Sequence, residues 1–107
     1  MSAPRAVWTT TASGRVSFEV PEGSAMLVEW AAHALVRDHG FTAERPIVGG
    51  GEVLCTLSRG ALTLYVNWDS TSGFYVFGDS AAADAVVRPF GEWVTQQLES
   101  PHVRALV

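Results

Sequence analysis

The chain has 107 residues, 48% of them apolar and 17% charged, with a formal charge of −4. That is the composition of one globular domain around a single core, and it excludes a disordered chain. No apolar run approaches the roughly 20 residues that span a bilayer, and no basic stripe supplies the footprint of a nucleic-acid binder.

All seven basic residues are arginine, which most simply reflects a GC-rich coding sequence. The acidity is concentrated in residues 61–107, where five carboxylates face two arginines for a net of −3. Met1-Ser2-Ala3-Pro4-Arg5 leads into threonines and not into an apolar signal core, so a cytoplasmic protein is expected. A single cysteine, Cys55, allows neither an intrachain disulfide nor a cysteine-based zinc site.

In chain order, Ala6–Thr10 and Arg15–Val20 read as a hairpin around Ala12-Ser13-Gly14, with Val16, Phe18 and Val20 alternating with polar neighbours. Pro21 ends it. The first helix is expected from about Ser24 to Asp38, stopped by a left-handed Gly40 with Phe41 making the accompanying apolar contact. Glu29, His33 and Arg37 form one narrow polar stripe on it. The remaining arc, roughly 240°, is apolar, wider than a surface helix needs. Such a helix is either sandwiched inside the domain or partly covered by a second chain.

Phe41–Val48 reads as an edge strand or ordered loop broken by Pro46. Gly49-Gly50-Gly51 is a turn, because no Gly-Lys-Ser/Thr and no helix start follow to make it a phosphate loop. Val53–Leu57 is the next strand, expected to turn through Arg59-Gly60 into the strand that begins at Leu62. Beyond the loop Asp69–Gly73, the run Phe74–Phe77 returns antiparallel. Trp68 then lies opposite Phe74, Asn67 opposite Tyr75, Val66 opposite Val76 and Tyr65 opposite Phe77. The period of two places Cys55, Leu57, Leu64, Val66, Trp68, Phe74 and Val76 on an inner face. Tyr65, Asn67, Tyr75 and Phe77 fall on an outer one.

Asp79-Ser80 caps a last helix that reaches about Glu99, continuing in phase across Pro89 and Gly91. Val87, Phe90, Val94 and Leu98 share its apolar side, and Arg88 is spaced to pair with Asp84 and Glu92. Gln97 falls within the apolar arc, which an early helix end would explain. The tail from His102 has no assigned element.

Chemistry-bearing residues are sparse. Cys55 sits on the inner side of a strand, where a thiol is ordinarily inert packing. His33 lies on the solvated stripe, His39 at a helix C-terminus where the dipole favours it, and His102 in the tail. Glu29 and His33 have helical metal-ligand spacing without a visible third ligand, so neither a metal nor a cofactor is expected. Turn formation accounts for Asp69, helix capping for Asp79 and pairing with Arg88 for Asp84.

The expected architecture is α+β, two layers, with an antiparallel sheet of four to six strands and two helices mainly on one face. Small acidic proteins of this class include bacterial immunity proteins and secretion chaperones, an analogy that transfers no residue. The expected function is a non-enzymatic protein-interaction module, either an inhibitor, immunity or chaperone partner of another protein or a homodimer. Its binding residues are Tyr65, Asn67, Tyr75 and Phe77, flanked by Trp68 and Asp69. The alternative is a small-ligand protein or minor enzyme with a pocket near Asn67–Asp69 and Asp79.

Overall fold

A computed structural model describes residues 4–107, so Met1–Ala3 of the N-terminal stretch lie outside the described residues. Its strands are β1 (Val7–Thr10), β2 (Val16–Val20), β3 (Thr42–Ala43), β4 (Ile47–Gly49), β5 (Glu52–Arg59), β6 (Leu62–Asp69) and β7 (Gly73–Gly78). Its helices are α1 (Met26–His39), α2 (Ala81–Gln97) and the short α3 (Pro101–Arg104). One antiparallel sheet runs β1-β2-β7-β6-β5-β3, with β4 also paired to β5. The strand count exceeds the expected six because Phe41–Val48 supplies two short edge strands. Pro46, which has no N–H to donate to a ladder, separates them.

The β6–β7 register is the one the alternation requires: Tyr65 opposite Phe77, Val66 opposite Val76, Asn67 opposite Tyr75 and Trp68 opposite Phe74. The β5–β6 turn differs from expectation. Arg59 pairs with Leu62, so the two turn residues are Gly60 and Ala61. Gly60 supplies the positive φ (58°) that a hairpin turn with glycine in first place needs, and Arg59 stays in the strand. The register is thereby shifted by two residues, and an even shift leaves every side chain on its expected face.

Phe18, Val20, Leu57, Leu64, Val66, Phe74 and Val76 are fully buried on the inner face. They form one core with Leu27, Ala31 and Leu35 of α1 and Val87, Phe90 and Val94 of α2. Gly91, which sequence alone marks as a helix weakener, is where α2 approaches β2. A Cβ there would lie 2.9 Å from the Phe18 ring and 2.5 Å from the Trp8 indole. Ser80 caps α2 by accepting from the Ala83 N–H. Arg88 makes no ion pair among the described residues; Asp84 instead meets Arg15 at 3.4 Å and accepts from the Val16 N–H, tying α2 to β2.

At the other helix, Gly40 adopts φ 71° and both it and Phe41 donate to the Leu35 carbonyl, burying Phe41. Arg59 completes that end, donating to the His39 carbonyl at 2.6 Å while its guanidinium lies 4.7 Å over the Phe41 ring. The tail docks: Val103 is buried and the Ser24 hydroxyl donates to the Leu106 carbonyl. The helix α2 ends at Gln97, leaving that amide half-buried with no buried side-chain polar atom unsatisfied among the described residues.

Candidate functional site

The outer face of the sheet is built by register. Two cross-strand rows run across it: Ser17, Phe77, Tyr65 and Thr56, then Glu19, Tyr75, Asn67 and Leu54. Phe77 sits between the two tyrosines, 4.9 Å from the Tyr65 ring and 6.1 Å from that of Tyr75. All three rings are half-buried. The two segments able to fold across this face, the N-terminal hairpin and Phe41–Val48, instead extend the sheet at its opposite edges.

Asn67, 8% exposed, is the anchor of the patch, its Oδ1 accepting from the Cys55 N–H at 3.2 Å. Burial pushes the Tyr75 hydroxyl above its ordinary value; the Asn67 amide opposes that shift, while Asp69 and Glu52 reinforce it. Glu19 accepts from Thr9 at 2.8 Å and from Ser17 at 3.2 Å, and so lies fixed along one side. The result is an aromatic surface with a held amide at its centre and carboxylates around it.

Of the six expected binding residues, the structure brings together Tyr65, Asn67, Tyr75 and Phe77. Asp69 lies at the end of the same face, where its carboxylate accepts from the Thr71 and Ser72 N–H groups at 2.9 and 2.6 Å. Those bonds, Ser72 foremost, hold it below the usual carboxylate range. Trp68 is not part of the patch. It points to the inner face, donating its indole N–H to the Gly23 carbonyl at 2.8 Å.

The expected pocket joining Asn67–Asp69 to Asp79 does not form. Asp69 pairs with Gly73 at one end of β6, whereas Asp79 accepts from the Thr63 N–H near the other. The two ends are roughly 20 Å apart at strand rise. A different concavity of about 470 Å³ lies beside Tyr65 and Phe77, lined also by Arg15 and Asp79.

Sequence reasoning missed a groove of about 650 Å³ between α1 and the β3–β5 edge, on the inner side of the sheet. Cys55 lines it together with the Glu29 and His33 of the α1 stripe. Burial, with Glu44 adding to it, pushes the Cys55 thiol up, which is the wrong direction for a nucleophile. Among the described residues no three His, Cys, Asp or Glu side chains converge as a metal site would need. The over-wide apolar arc of α1 was the available signal for this groove.

Among the described residues no helix is long and apolar enough to cross a membrane. The chain matches no protein-family model, no curated protein and no solved structure, so its candidate surfaces are defined by their own geometry alone.

Proposed function

We propose that this chain is a non-catalytic protein-interaction module of the inhibitor, immunity or chaperone kind, meeting its partner through Tyr65, Asn67, Tyr75 and Phe77. The observation that carries this reading is the set of three adjoining, partly exposed rings across which, among the described residues, no element is laid. Tyrosine and phenylalanine are enriched at the centres of protein interfaces, because a large rigid ring contributes contact area at low entropic cost. The surrounding Glu19, Glu52 and Asp69 favour a partner with basic residues at its rim. A cytoplasmic, bacterial setting is part of the reading, and the buried free thiol of Cys55 is compatible with a reducing compartment.

The experiment is to place the photo-crosslinker benzoylphenylalanine at Tyr75, and separately at Glu22, in the organism that makes the protein. Tyr75 is expected to give a discrete adduct that Glu22 does not. Equal adducts from both positions, or none from Tyr75, would reject the outer face as the contact surface. Light scattering at low and high concentration then tells a second copy from a different protein.

A second reading, a small-ligand site, has one observation in its favour: the 470 Å³ concavity where Arg15, Tyr65 and Asp79 converge. Its test is a fragment screen by NMR, with shifts confined to those residues expected if it holds.

A further inference from the structure

The two main helices do not cover the whole inner face. A helix about 10 Å across spans roughly two strands spaced 4.8 Å apart. Accordingly α2 lies mainly over β2 and β7 and reaches β6, while α1 lies over β5 and β6 and touches β3. Beyond α1, over the β4 stretch of that edge, no helix lies among the described residues. Trp30 shows the asymmetry: it stacks on Trp93 of α2 with centroids 5.3 Å apart, so one flank of α1 is partnered. The other flank opens into the 650 Å³ groove.

Ala32, Val53 and Cys55 form the floor of this groove. Its walls carry three of the most exposed aliphatic side chains of the domain: Met26 (60%), Val36 (42%) and Val48 (73%). From Ala25 to Val36 the groove follows three turns of α1, roughly 16 Å. Its acidic lining side chains are Glu29 and Glu44, with His33 beside Glu29; no arginine lines it. The nearest arginine on α1, Arg37, is held bidentate by Asp38 at 2.7 and 2.8 Å. Sequence-adjacent Arg45 is exposed and lies outside the lining.

We propose that this groove docks an amphipathic helix of a partner protein, whose apolar residues at i, i+3/i+4 and i+7 fill it and whose flanking lysine or arginine meets Glu29 and Glu44. A helix fits because the groove runs along three turns of α1, whose exposed flank can take a neighbour at the usual 8–10 Å interaxial distance. A small ligand seated on the floor would leave Met26, Val36 and Val48 in water. A second copy is a poor occupant, because each copy carries a formal charge of −4 and would set an acidic surface against Glu29 and Glu44. The site is on the opposite side of the sheet from Tyr65 and Tyr75, and stands independently of that face.

The test is fluorescence anisotropy with a labelled amphipathic leucine–lysine peptide of about 14 residues, long enough to form helix on docking, and its leucine–glutamate counterpart. The lysine peptide is expected to bind and the glutamate peptide to bind about tenfold more weakly or worse. V36S/V48S, two exposed positions whose replacement spares the core, is expected to weaken the lysine peptide by about tenfold. E29K/E44K is expected to reverse the preference between peptides, and Y75A to leave it within about twofold. Equal binding of both peptides, indifference to V36S/V48S, or displacement of the peptide by dodecylammonium at equal affinity would overturn the proposal. So would light scattering that finds a dimer dissolved by V36S/V48S.

Discussion

Phe74 and Tyr75 are neighbours on β7 and meet opposite environments. Phe74 is fully buried against the helical layer, in line with Phe18 and Val76. Tyr75 lies half-buried on the bare side of the same strand, its ring 6.1 Å from that of Phe77. Both faces are aromatic, so hydrophobicity alone does not tell them apart. What differs is the opposing layer: one face has helices, and the other, among the described residues, has none. Aromatic content on the first face is spent on folding, and on the second it is available for contact.

Substitutions on the two faces should therefore separate widely. Phe74→Ala is expected to lower unfolding free energy by about 3–5 kcal/mol, the cost of emptying a closed aromatic site, measured by urea denaturation. Gly91→Ala, also on the covered side, gains roughly 1 kcal/mol of helix propensity but must push the Phe18 ring aside at about 1–3 kcal/mol. A net loss near 1 kcal/mol is expected, and a stabilised variant would mean that the α2–β2 contact is loose. Tyr75→Ala is expected to cost about 1 kcal/mol or less, the scale of cross-strand pairs, and to leave the fold intact. A loss as large as that of Phe74→Ala would erase the distinction between the faces.

The titrating groups offer finer tests. Tyr75 is held above its ordinary value of 10.0, so the fold favours the neutral phenol. Its contribution to stability is complete below pH 10 and is lost as pH rises through the Tyr75 value, which Tyr75→Phe should abolish in alkaline urea titrations. Cys55, buried with its thiol raised, should resist iodoacetamide in the native protein and react at the ordinary rate in urea. Fast native labelling would show that the groove floor opens.

Much of this was legible in residue order. Strict alternation in Leu62–Phe77 determines both faces and the β6–β7 register, since a one-residue slip would exchange them. Gly40-Phe41 and Ser80 announce helix ends through local backbone chemistry. The parts that escaped depend on contacts distant in sequence. The β5–β6 turn followed glycine's positive φ over the expected position of Arg59, whose side chain is needed 20 residues upstream at the His39 carbonyl. Asp84 chose Arg15 over Arg88 because β2 reaches it across the core. Alternation placed Trp68 on the inner face, yet its grouping with Asn67 and Asp69 followed chain proximity and not the strand's two sides. The groove needs two elements to exist at all, and only the excess width of the α1 apolar arc hinted at it.

The most direct test of the two-faced sheet is aromatic NMR of dilute protein with and without a soluble gadolinium chelate. The account predicts strong broadening of the Tyr65, Tyr75 and Phe77 ring signals while Phe18, Phe74 and Phe90 are unaffected. Equal protection of both sets in the dilute monomer would mean that the outer face is covered, and would contradict it.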